Sequence, residues 1–492
     1  MSLTAVPAGR VVMVDIEGRQ LDADTAAFLR EHRIRAVCLF RKNLGPEAQI
    51  RQLTADLRVA MGEGAVIAID QEGGSVVRAV SLPQAPGAMA LGAAGDEALA
   101  ERVGAGVARG LRHLGINWNF APVLDVNNNP ANPVIGERSF GADPLLVARL
   151  AGAWMRGAAA QGVACCGKHF PGHGDTRTDS HHALPVVDKP LAALEALELL
   201  PFRVLAPDAP SLMTAHIIYP QIDPEHPATL SRPLLTGLLR ERIGYHGVVI
   251  TDALLMKAVH DRYGHGRAAV LALQAGADMP LAQGARGEQL AALQAIERAQ
   301  ADGTLAPQVI ARAAARLDAL AARFPATPLD MGDSQRAEDD ALMYAAWARG
   351  LTAVGSPQPP ALNTPLRVVT QDRVDSDGVN EAGLPAAAVR ALFRGFTDVE
   401  FMECVDLAAA DAALFRVAGR TVVLASNQRA RFSRPGTLAP DLHLVLWNPF
   451  QVLDVPAPAV VTWGYADGAL AALRQWLLGH AGTPGIAPVA LA

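Results

Sequence analysis

The chain has 492 residues, half of them hydrophobic and 19% charged, a balance that excludes an intrinsically disordered protein. Its formal net charge of -6 leaves no basic surface of the kind that nucleic acids or anionic membranes require, so neither is expected as a partner. No apolar run of about 18 residues is present to span a bilayer, and this length calls for two domains.

The N-terminal stretch MSLTAVPAGRVVMVDIEGR lacks a basic segment followed by a long apolar one, so it does not read as a secretory signal. The four cysteines, Cys38, Cys165, Cys166 and Cys404, are too few and too irregular for a disulfide framework, and read as buried thiols. A reducing cytoplasm is the expected location.

From residue 11 onward one pattern repeats: a short apolar run, turn residues, then a helical stretch. The runs are 11–16, 36–40, 65–70, 116–123, 163–170, 211–216, 247–252 and 277–282. Most are continuously apolar, as strands buried on both faces of a parallel sheet must be. Helix-like segments such as 48–61 and 144–161 lie between them. Eight alternations in this length predict an α/β fold of the (β/α)8 TIM type over residues 1–325, with a doubly wound open sheet as the alternative.

A long Ala-rich helix is predicted over 287–323. Residues 326–365 read as a linker, Pro-dense and containing a helix over 334–350. The run Glu338-Asp339-Asp340 is expected in that helix's first turn, complementing its dipole. Further apolar runs at 366–372, 399–404, 421–427, 443–448 and 459–464 predict a smaller, sandwich-like α/β domain over 366–492.

Polar residues close several of the first-domain runs: Asp70 the third, Lys168 and His169 the fifth, His216 the sixth, Asp252 the seventh, with Asp125 just after the fourth. In a (β/α)8 barrel those ends converge on one rim, where active sites form. Position alone reads Asp252 equally as a nucleophile or as a helix N-cap. The stretch KHFPGHGDTRTDSHH (168–182) cannot be regular helix or strand and must be a loop at that rim. Asp179 stands two residues from His181, close enough to pair in a turn and tune the imidazole as a general acid/base; a solvated polar loop is the alternative. Arg138 beside Glu137, and Asp70 with Arg78 around a Gly-Gly turn, suit either structural ion pairing or orientation of sugar hydroxyls.

A metal-dependent amidohydrolase is the competing reading, with His169, His173, His181, His182, His216 and Asp252 as ligands. Against it stand the absence of His-x-His in the first strand and the cation of Lys168.

Taken together, DQEGGSVVR (70–78), FAPVLDVN (120–127), IGERSFG (135–141), KHFPGHGDTRTDSH, MTAHIIYP (213–220), PATLS (227–231) and LLRERIGYHGVVITD (238–252) resemble family 3 glycoside hydrolases, in particular the bacterial β-N-acetylhexosaminidase branch. The resemblance spans roughly residues 10–325 and continues more weakly into the second domain. It implies Asp252 as nucleophile and His181, paired with Asp179, as general acid/base. It further implies that Asp70, Arg78, Arg138, Lys168 and His169 hold the sugar; His216, at the end of its run, is placed with them. No cofactor or metal is implied. The substrate implied is a terminal β-linked N-acetylglucosamine, released from peptidoglycan-derived muropeptides by a retaining exo-acting enzyme. A phosphorylase or β-glucosidase of the same family is the alternative. The chain departs from the branch at Ala253, Leu255 and Ser75, where Asp, Ser and Arg are frequent.

Overall fold

The computed structural model describes residues 6–177, 184–377 and 379–491. Eight parallel strands close into a barrel: β1 (Met13–Asp15), β2 (Ala36–Leu39), β3 (Val66–Ile69), β4 (Trp118–Asn119), β5 (Ala164–Phe170), β6 (Ser211–Thr214), β7 (Val248–Ala253) and β8 (Met279–Ala282). Each lies beside its sequence neighbour, and β1 seals the ring by pairing Met13 with Leu281 of β8. The strands are buried almost throughout, which is why their sequences are continuously apolar rather than alternating. The expected barrel is therefore present, one strand to each of the eight runs.

The helices between strands are set by local signals. The helix Pro144–Ala160 starts with Asp143 accepting the Leu145 amide and Pro at its first position. The helix Glu47–Met61 stops where Gly62 takes a positive φ of 78°. The single helix expected over 287–323 is instead two, Arg286–Ala301 and Pro307–Arg323. Gly303, at φ 80°, and Pro307 punctuate a stretch whose composition otherwise reads as continuous helix.

The helix Asp333–Gly350 connects the two halves. Its acidic run lies beyond the first turn, and the dipole reading of that run does not hold for Asp339. That carboxylate is buried and takes a bidentate fork from Arg109, so it pins the connector to the barrel. Trp347 on the same helix is buried against Trp463, Met89 and Phe450, a small core shared by both halves.

The second sheet has six strands: β9 (Thr352–Val354), β10 (Leu366–Gln371), β11 (Val399–Cys404), β12 (Thr421–Ser426), β13 (Leu442–Val445) and β14 (Ala459–Val461). Their order is β9-β14-β13-β12-β10-β11, with β9 antiparallel to β14 and every other pair parallel. The short edge strand β9, inside the Pro-dense stretch, was not marked by an apolar run of its own. Among the described residues, no helix is long and apolar enough to cross a membrane.

Candidate active site

The C-terminal ends of the barrel strands surround a cavity of about 450 Å³. Asp70, Arg78, Arg138, Lys168, His169 and Asp252 all line it, so the structure brings six of the expected residues together. Asp179 and His181 fall outside the described residues.

Asp252 occupies the end of β7, within the strand itself. The following helix is capped by Met256, which removes the N-cap reading of Asp252. One carboxylate oxygen, Oδ1, accepts the Ala253 amide at 2.8 Å, which fixes the group at the rim. Ala253, Leu255, Met256 and Lys257 continue along the same wall.

Opposite charges pack tightly on the other side. Lys168 Nζ reaches Asp70 Oδ1 at 2.7 Å and Glu72 Oε1 at 2.6 Å. Arg138 forks onto both Glu72 oxygens at 2.8 and 2.9 Å. Burial alone would raise the Glu72 pKa, but Arg138 and Lys168 outweigh it and hold the carboxyl well below its usual range. Burial would likewise depress Lys168; Asp70 and Glu72 outweigh it and hold the ammonium above its ordinary value. Glu72, Lys168 and Arg138 are thus all ionised at neutral pH. Arg138 pairs with Glu72 and not with its sequence neighbour Glu137, which instead accepts the Trp447 indole N–H at 2.8 Å.

Residues 168–170, expected in the loop, instead end strand β5, and His169 there and His173 beyond it are ordered by Asp125, which is wholly buried. Its Oδ1 accepts the amides of His169 at 3.0 Å and His173 at 2.7 Å, and Oδ2 lies 2.7 Å from His169 Nδ1. Burial would raise the Asp125 pKa, but the charge and hydrogen bonds of His169 outweigh that and keep it ionised, so Nδ1 of His169 is the donor. His173 is buried with its Nδ1 2.8 Å from Thr176 Oγ1, and burial pushes its pKa down to about 4, leaving it neutral. The loop returns so closely on itself that a Cβ at Gly174 would lie 1.7 Å from the Val126 carbonyl oxygen, so only glycine fits there.

His216, expected with the sugar contacts, lies behind the wall. It is fully buried and does not line the cavity. Its Nδ1 lies 2.7 Å from Thr229 Oγ1, and its Nε2 2.9 Å from the carbonyl oxygen of Ala253. The imidazole supports the turn carrying Asp252 from behind. Nor do His169, His173, His216 and Asp252 gather into a metal-ligand set; among the described residues the group with that spacing is His260, His265 and Glu288.

Glu72 and Glu381 are the residues that sequence reasoning missed, while Asp125 was read at the rim without a role. Glu72 had a signal, since it stands two residues from Asp70 and an extended chain puts both on one side. Glu381 had none: it comes from the second domain and accepts Arg78 Nη1 at 2.9 Å, while Val379 joins the cavity wall. Ser75, where arginine is frequent in the branch resembled, is buried with its hydroxyl 2.6 Å from Glu137 and 2.9 Å from Asn380 of the second domain. A small residue at this position lets that domain close over the rim.

A partly exposed carboxylate on a rigid strand, in one cavity with a fixed array of cations and carboxylates, suits nucleophilic attack on a polyhydroxylated substrate. Comparison with known proteins gives the family. The model for the glycosyl hydrolase family 3 N-terminal domain matches residues 6–320. A β-hexosaminidase of Bordetella avium (strain 197N) is 40% identical over 279 residues, covering 55% of this chain and 79% of that protein. A solved family 3 β-N-acetylglucosaminidase from Paenibacillus sp. str. FPU-7 superposes with a TM-score of 0.86 at 34% identity, covering 99% of this chain and 98% of its own. NagZ from Neisseria gonorrhoeae, solved with N-trifluoroacetyl-D-glucosamine, matches at 32% identity and a TM-score of 0.57, over 68% of this chain and 97% of that one. This chain belongs to glycosyl hydrolase family 3, and it is a glycoside hydrolase of the kind its β-hexosaminidase relatives represent.

Proposed function

We propose that the protein is a retaining exo-β-N-acetylglucosaminidase in which Asp252 is the covalent nucleophile. The observation that carries the reading is the Asp252 carboxylate, set at the end of β7 on the wall of a cavity also lined by Asp70, Arg78, Arg138, Lys168 and His169. The likeness to the Paenibacillus β-N-acetylglucosaminidase over nearly the whole chain supports the choice of sugar.

In the first step Asp252 attacks the anomeric carbon while an acid protonates the departing oxygen; water then hydrolyses the glycosyl–Asp252 ester. His181, paired with Asp179, is assigned as acid and then base. The described part of their loop, up to residue 177, leaves from the end of β5 on the same rim, which supports the assignment. A histidine in this role avoids setting a second carboxylate against the nucleophile. The hydrogen-bonded cluster of Asp70, Lys168, Glu72 and Arg138 orients the hydroxyls of the non-reducing-end sugar, and its geometry is fixed before binding. Muropeptide fragments of peptidoglycan are the natural substrates in this reading, and the cytoplasm the site of action.

Rates on an aryl N-acetyl-β-glucosaminide and an aryl β-glucoside, each with and without phosphate, test it. Preferential turnover of the first, indifferent to phosphate, is the expected result. Preference for the glucoside, or a sugar 1-phosphate as product, contradicts it.

A further inference from the structure

A second group of ligand-type side chains sits beside the catalytic cavity. The helix Lys257–Ala275 is interrupted at Gly264, where φ is 65° and ψ 164°. On an unbroken helix residues 260 and 265 would point about 140° apart. The interruption instead brings the rings of His260 and His265 to 5.2 Å between centroids. Glu288, in the first turn of Arg286–Ala301, completes the group. Its Oε2 lies 2.8 Å from His265 Nδ1 and its Oε1 3.6 Å from His260 Nε2, with the ligand atoms of all three within 4.8 Å of one another.

The side chain of His265 is fully buried, and its Nε2 lies 2.9 Å from the Gln283 carbonyl oxygen. A carbonyl only accepts, so Nε2 carries the proton and Nδ1 of the neutral ring presents a lone pair. That lone pair faces a carboxylate oxygen. A proton on Nδ1 would not join them, because Nδ1 is buried with no hydrogen-bond partner even though Glu288 is within reach. Among the described residues, these two histidines lie within 4 Å of the Glu288 carboxylate, and no lysine or arginine does.

We propose that His260, His265 and Glu288 bind a divalent zinc-type ion, with one coordination position open to water. Two imidazole nitrogens and one carboxylate oxygen are a donor set suited to such an ion. Bonds of about 2.0–2.1 Å in a tetrahedral site put donor atoms about 3.3 Å apart, and the observed separations bracket that spacing. The Gln283 carbonyl fixes the tautomer that leaves Nδ1 free to coordinate. His260 and Glu288 are about a third exposed, at 33% and 38%, which gives the ion a way in. Met256, Lys257 and Gln283 all line the catalytic cavity, so the ion clips together two segments of its wall.

Calorimetric titration of the chelator-stripped full chain with zinc chloride tests the proposal, alongside H260A, E288Q and D252N. Wild type and D252N are expected to bind one equivalent and to gain thermal stability with zinc. H260A and E288Q are expected to bind at least about tenfold more weakly, with zinc-free Tm unchanged because both residues are partly exposed. Absence of saturable binding overturns the proposal. So does zinc binding that survives in both H260A and E288Q, or that is lost only in D252N.

Discussion

At the scale of single residues, the site works through charges that are buried only because they are paired. Glu72 is held by two cations, and removing its charge leaves Lys168 and Arg138 undercompensated in a dry setting. Glu72→Gln is expected to destabilise the fold by on the order of 3–5 kcal/mol, read as a shift in denaturation midpoint. An unchanged midpoint would mean that water reaches these ions. His173 makes a separate prediction. Its folded pKa of about 4 lies below its value of 6.5 in the unfolded chain, so the unfolded state binds the extra proton between those limits. The stability from keeping it neutral is therefore complete above about pH 6.5 and lost as pH falls toward 4. Asp125 and Glu72, both depressed, add losses at still lower pH. A Tm that declines through this window in wild type, and declines less in His173→Gln, is the expected pattern.

At the scale of elements, the eight barrel strands were legible because burial on both faces leaves an unbroken apolar run. The rim position of Asp252 was legible because a charge ending such a run has nowhere to go but the strand's exit. The surroundings of His216 were not legible in the same way. It too ends an apolar run, but the chain beyond β6 folds back over it, and Thr229 and Ala253 occupy its ring nitrogens. The break at Asp302-Gly303 was hidden by helix-forming neighbours on both sides. The connector's acidic run looked like a dipole complement because Arg109, its partner, lies 230 residues away. Asp339→Ala tests that element: loss of the buried fork is expected to cost on the order of 3 kcal/mol and to loosen the connector helix, which hydrogen exchange over residues 333–350 would register.

At the scale of the whole molecule, the second domain completes the cavity. Glu381 and Val379 reach the rim, Trp447 holds Glu137, and Tyr465 donates to the Glu381 carbonyl at 3.1 Å. The Arg78–Glu381 and Glu137–Trp447 contacts join residues some 300 positions apart, which no local pattern encodes. Glu381→Ala is expected to raise KM about tenfold, equivalent to 1.4 kcal/mol, with a smaller change in kcat, since Arg78 then loses its orientation. In the proposed mechanism, turnover itself depends on the carboxylate of Asp252. Incubation with a 5-fluoro-N-acetyl-β-glucosaminyl fluoride, followed by peptide mass spectrometry, reports directly on that group. A single sugar adduct on the peptide containing Asp252, absent in Asp252→Asn, is the predicted result; an adduct on another residue, or turnover with no adduct at all, would contradict it.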